Sequence, residues 1–189
     1  MKKIKKKQNK NNLQLAYSGN VTIKLVRDDK VIDVINGHNH GTFRLFEFIT
    51  TCLIGVYESS LAPKYIQVFH VTSEESAETE LASADSLTGL IPLGSSSVET
   101  DSTNNLSTAK LTFTIPGSVF AEGIVPNYFA LYSYKNYTEQ TKPMAMYYVD
   151  TGYEDIDRNS NIIVVWELQV GNAETEESEA ELDIPVITH

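Results

Sequence analysis

Ile162, Val164, Trp166, Leu168 and Val170 stand at every second position of one uninterrupted run. An α-helix cannot gather them on one face, because it turns every 3.6 residues, whereas a strand alternates sides with period two. The run therefore predicts a long strand with one buried face and Trp166 on it. Ala109, Leu111, Phe113 and Ile115 repeat the pattern against Lys110, Thr112 and Thr114, and stop at Pro116-Gly117. Val21, Ile23 and Leu25 do the same against Thr22, Lys24 and Val26. Asp28-Asp29 then interrupts the chain ahead of a β-rich run over 30–35, which reads as a hairpin closed by a tight acidic turn. Further strands are predicted over 64–72, 128–134 and 143–149, with polar turn clusters between them. Short strands at regular spacing with one helix among them predict a mainly β chain, an antiparallel β-sandwich or a barrel-like relative of it.

The helix is predicted over about 43–58, with Asn39 or Thr42 as its N-cap. Phe43, Phe46, Ile49, Leu53 and Val56 recur at three- and four-residue spacing, and Leu45, Phe48, Cys52 and Ile54 widen the stripe. So broad an apolar surface predicts a helix covered on most sides, packed across a sheet or between a sheet and a partner subunit. The stretch from Phe43 to Val56 is too short, and with Arg44 and Glu47 too charged, to cross a bilayer. Residues 73–107 are polar and serine-rich, and read as a surface excursion with room for one or two short edge strands. The predicted organisation is a basic arm over 1–12, a sandwich domain over 13–172 and an acidic tail over 173–189.

Charge separates these parts. The net charge is −10, from 15 basic and 25 acidic residues, yet Lys2, Lys3, Lys5, Lys6, Lys7 and Lys10 lie in the first ten positions. The remainder is strongly acidic and repels phosphate backbones, so nucleic acid is expected as a partner only through the Lys-rich start. No apolar run follows the lysines, so a secretory leader is not supported. At the other end, Glu174, Glu176, Glu177, Glu179, Glu181 and Asp183 precede Ile184-Pro185-Val186-Ile187. An apolar tip after an acidic run suits docking on the same subunit or on a neighbour. Opposite charges at the two ends suit contacts between copies that salt should weaken.

Reactive chemistry is sparse. His38-Asn39-His40 offers two of the three or four ligands a metal needs. Asp155-Ile156-Asp157-Arg158-Asn159-Ser160-Asn161 imitates the opening of a calcium loop, but Ser160 replaces the turn glycine and Trp166 the bidentate glutamate. Phosphate loops and a nucleophile elbow are absent from the sequence, and the single cysteine, Cys52, falls inside the apolar helix pattern. The expectation is no cofactor, no metal and no enzymatic activity. Seven tyrosines fall between Tyr128 and Tyr153. Tyrosine suits half-buried faces, so sheet packing, a subunit interface or a sugar-stacking face are the three readings. The interface candidates are Tyr128, Tyr132, Tyr134 and Tyr147, with Ile184, Val186 and Ile187 at the tip.

Three segments carry a family resemblance. They are Ser107-Thr108-Ala109-Lys110-Leu111-Thr112-Phe113-Thr114-Ile115-Pro116, then Asn127-Tyr128-Phe129-Ala130-Leu131-Tyr132, then Asn161 to Asn172 with its Ile-x-Val-x-Trp-x-Leu run. Together they resemble a β-sandwich module of tailed-bacteriophage structural proteins. The region from Gly19 to Phe48, with Asn39-His40-Gly41-Thr42-Phe43-Arg44, is similar to the strand-hairpin-helix opening of virion proteins of this size. The resemblance implies a non-enzymatic virion subunit of the tail, baseplate, neck or a fibre attachment, made in the host cytoplasm. Its implied partners are other copies of itself and neighbouring virion proteins. The alternative is a carbohydrate-binding module for host-surface glycans, with Tyr128, Tyr132 or Trp166 stacking on sugar rings.

Overall fold

The computed structural model describes residues 15–56, 58–71, 86–120, 125–133, 143–153 and 156–172. Their strands are β1 (Leu15–Arg27), β2 (Lys30–His38), β3 (His40–Gly41), β4 (Pro63–Phe69), β5 (Ile91–Pro92), β6 (Ser95–Asp101), β7 (Leu106–Pro116), β8 (Tyr128–Ser133), β9 (Ala145–Tyr148) and β10 (Ser160–Asn172), with one helix, α1 (Phe43–Leu53). They form two five-stranded antiparallel sheets. The first runs β2-β1-β10-β7-β6 and the second β3-β9-β8-β4-β5. This is the mainly β sandwich that the alternation predicts.

The centre of the first sheet follows from that alternation. Antiparallel register sets Val21, Trp166 and Leu111 side by side, then Ile23, Val164 and Phe113, then Leu25, Ile162 and Ile115. All nine are buried, and Trp166 is fully so. Burying one such aliphatic or aromatic side chain contributes roughly 1.5–3 kcal/mol. An exposed ion pair such as Arg27 with Asp157 contributes about 0–1 kcal/mol, so the inward-facing grid decides the fold. Ile66, Val68, Phe129, Leu131 and Ala145 of the second sheet face it across the same core.

The acidic turn is present: Asp28 and Asp29 both have positive φ, 49° and 59°, as a two-residue type I′ connection requires. The chain passes between the sheets at both flanks. At one, β2 gives way to β3 through Asn39, whose amide donates to Gly19 O at 3.0 Å. At the other, Leu93 N donates to Lys64 O in the second sheet at 2.8 Å. The next amide, Gly94 N, donates to Thr112 O in the first sheet at 2.9 Å. Two adjacent residues thus tie opposite layers together. The described part of the polar excursion carries β5 and β6, and residues 72–85 lie outside the described residues. The predicted arm and tail, 1–12 and 173–189, lie outside them as well.

The helix departs from expectation in two ways. It ends at Leu53, not near 58, because Gly55 adopts φ 78°. Gly55 N donates to Cys52 O and Val56 N to Thr51 O, a Schellman stop that leaves no helical continuation. Its N-cap is Thr42, which accepts from Arg44 N at 3.2 Å and donates to Pro143 O at 2.6 Å. Among the described residues, α1 is also covered on one side only. Leu45 is buried and Phe48 and Ile49 pack on the core, while Cys52 is exposed.

Candidate interaction surface

The other side of α1 is apolar and faces solvent. Phe43 is 75% exposed, Leu53 65%, Ile54 70% and Val56 55%; Phe46 is 44% exposed. At 100° per residue, Phe43, Thr50, Leu53 and Ile54 fall on one stripe about 15 Å long. Arg44 and Glu47 form an ion pair of 3.1 Å beside it. The helix carries no acidic residue in its first turn and no basic residue in its last, so its own side chains leave both ends of its dipole uncompensated.

A second exposed apolar group lies on β2, an edge strand: Val31, Ile32 and Val34. This edge is blunted. The register shifts between Leu25 and Val26, so Ile32 is bulged out of the ladder. Asp33 takes up a neighbouring donor, accepting from Val34 N at 2.8 Å, and its second oxygen accepts from Tyr153 Oη at 3.1 Å. An aspartate and a bulge at a sheet edge discourage another strand from adding there.

The tyrosines predicted as interface candidates sit elsewhere. Tyr128 is 1% exposed, Tyr132 0% and Tyr147 7%. Tyr128 and Tyr132 pack with Phe69, Val71 and Ala130 in a second core on the outer side of β8. Phe69 meets Tyr128 edge to face at 6.2 Å, and Tyr128 Oη donates to Met146 Sδ. Tyr147 lies over Gly37, where an added Cβ would overlap its ring. Burial pushes the phenols of Tyr132 and Tyr147 up from their ordinary range, and Tyr153 is raised by burial and by Asp33. Of the three readings of these tyrosines, sheet packing is the one the chain itself shows for Tyr128, Tyr132 and Tyr147: both faces of β8 are packed within the chain. Tyr134, Ile184, Val186 and Ile187 lie outside the described residues. Trp166 is in the core as predicted, and its Nε1 is the one buried side-chain N or O without a hydrogen bond among the described residues.

The outer face of the first sheet carries a polar row. His38, Asn20, Glu167 and Lys110 lie in one row across four strands. Lys110 Nζ reaches Glu99 at 3.0 Å and Glu167 at 3.6 Å, which holds its ammonium above the usual lysine range. An open groove of about 390 Å³ is lined by Asn20, Thr22, Asn36, His38 and Glu167, with Thr22 Oγ1 donating to Asn36 Oδ1 at 2.8 Å. Amides and hydroxyls so placed can hydrogen-bond neutral polar groups, and no aromatic plate lines the groove. His38 and His40 are both exposed, and no three metal-ligating side chains cluster among the described residues. Leu15 pairs with Asn172, so the Lys-rich start and the acidic tail are attached at neighbouring points of one ladder.

No protein-family model matches this chain, and no curated protein or solved structure matches it.

Proposed function

We propose that this chain is a non-enzymatic structural subunit that assembles through protein–protein contacts, and that it belongs to a bacteriophage virion as a tail, baseplate, neck or fibre-attachment component. The observation that carries the assembly reading is the solvent-facing apolar stripe of Phe43, Leu53 and Ile54 on α1 and its C-cap. Contiguous apolar surface of this kind on a folded chain marks a contact with something else. The virion assignment rests on the sequence resemblance. Its partners are other copies of the chain and neighbouring virion proteins.

The test is to purify the full chain, label it, and ask whether it is found in imaged particles and binds particle proteins. Incorporation at one defined station supports the proposal. A chain that is absent from particles and binds none of their proteins overturns it. A second reading, a glycan-binding module, draws on the polar groove at Asn20, Asn36, His38 and Glu167. With Tyr128, Tyr132 and Trp166 buried, that groove would have to act without stacking. Saturable heat on calorimetric titration with host-surface sugars, abolished by Asn20→Ala with Asn36→Ala, would favour it.

A further inference from the structure

We propose that the outer side of α1 is where a second copy of this chain docks, the two helices lying antiparallel about a two-fold axis midway between Phe43 and Leu53. The inference rests on the assembly reading above and names the surface that reading leaves open.

Three features of the stripe select a second copy. The first is its internal order. Phe43 stands at the first turn, and Leu53 and the C-cap residue Ile54 at the other end, with the small polar Thr50 one turn before them. Antiparallel pairing lays the aromatic end of one copy on the aliphatic end of the other, with Phe43 facing Leu53 and Ile54 twice over. A two-fold contact requires such a self-complementary surface. The second is the helix dipole. The first turn lacks an acid and the last turn lacks a base, and an antiparallel copy supplies each end with its opposite.

The third is area. At the exposures found, Phe43, Leu53 and Ile54 present on the order of 400 Å² of apolar side chain. Two such faces remove on the order of 800 Å² from water before the rim is counted. With the Arg44–Glu47 rim this reaches the low end of specific interfaces, near 1,200 Å² in total. A reversible dimer is expected, not a permanent one. The blunted edge of β2 offers no equally open route for strand addition.

Electrostatics give the contact a signature. Two copies of a chain with net charge −10 repel, so a dimer held by apolar helices tightens as salt rises. A contact made by the Lys-rich start with the acidic tail would loosen instead.

The experiment is analytical ultracentrifugation of the full chain over a concentration series, at low and at physiological salt. The wild type should form a dimer that salt strengthens. Phe43→Glu and Leu53→Lys each place a charge that suits its end of the helix, so folding, followed by circular dichroism, should be kept. Each should weaken the dimer about tenfold or more. Combined in one chain, they should recover part of the loss, because the introduced carboxylate of one copy faces the introduced ammonium of the other. A monomeric wild type overturns the proposal, and so does a dimer that neither substitution weakens. A double variant no tighter than the weaker single one overturns the antiparallel arrangement. A dimer lost on Ile184→Ser with Val186→Ser and Ile187→Ser, and kept in the helix variants, assigns the contact to the C-terminal tip. In each of these cases the binding of particle proteins is measured separately, so the assembly reading is judged on its own result.

Discussion

Gly37 shows how one residue position carries the join between the two sheets. It lies on β2, and Tyr147 of the other sheet fills the space its missing side chain leaves. Gly37→Ala overpacks this contact and should cost about 1–3 kcal/mol in a denaturant melt. Tyr147→Phe, which removes the hydroxyl nearest the new methyl, should return part of that cost in a double-mutant cycle. Trp166 is the opposite case. Its ring is fully buried but its N–H is not hydrogen-bonded, so it fills volume at the expense of one unsatisfied donor. Trp166→Phe removes that donor together with part of the ring, and should cost clearly less than the roughly 3–5 kcal/mol expected of Trp166→Ala. Equal losses in the two variants would mean that the N–H is satisfied in solution. Asn127 was not visible as structural in the sequence. Its amide accepts from Val71 N at 2.9 Å and donates to Val71 O at 2.7 Å, standing in for a strand partner where β4 ends.

Among the elements, the β1–β2 hairpin is held by a turn whose shape other residues fit better. Asp28 and Asp29 both lie in the left-handed region, which aspartate enters but asparagine, and at the second position glycine, enter more readily. Asp28→Asn with Asp29→Gly should therefore raise stability by about 1 kcal/mol, read as a thermal midpoint higher by about 2–4 °C. The β6–β7 hairpin has a pH-dependent turn. Hydrogen bonds from the side chain and backbone of Asn104, and from Thr103 N, hold the Asp101 carboxyl below the usual carboxylate range. A depressed folded-state value means that the turn's stabilisation is present above the unfolded pKa of about 4 and is lost as pH falls through the folded one. Protection of the turn amides of Thr103 and Asn104 against hydrogen exchange, referenced to Asp101→Asn, should weaken on that acid side. β8 illustrates where strand reading goes astray. Its Tyr-Phe-Ala-Leu-Tyr run has no alternation, and a continuous apolar run is the mark of a strand covered on both faces. That signal favours sheet packing among the three readings of the tyrosines, and the structure shows it for Tyr128 and Tyr132.

For the whole molecule, the buried phenols set the alkaline limit. Tyr132, Tyr147 and Tyr153 are all raised by burial, so their neutral forms stabilise the fold fully below the unfolded tyrosine pKa of about 10. That contribution is lost as pH rises above it, because the unfolded chain ionises first. The part of the tyrosinate absorbance that is lost on Phe substitution at Tyr132, Tyr147 or Tyr153 should rise late and together with loss of β circular dichroism, and Tyr153→Phe should shift the transition. If that part rises well before unfolding, these rings are accessible.

The sequence by itself determined the alternating strands, the acidic turn and the inward side of Trp166, and narrowed the helix cap to Asn39 or Thr42. Each depends on neighbours within a few positions, where period, capping chemistry and backbone preference act alone. Only the tertiary structure decided which apolar surfaces are covered. Burial depends on what packs against a residue, and β1 meets its partner β10 across more than a hundred residues of chain. The same apolar richness that buries Tyr128 and Tyr132 inside the chain therefore leaves Phe43 and Leu53 of α1 turned to solvent.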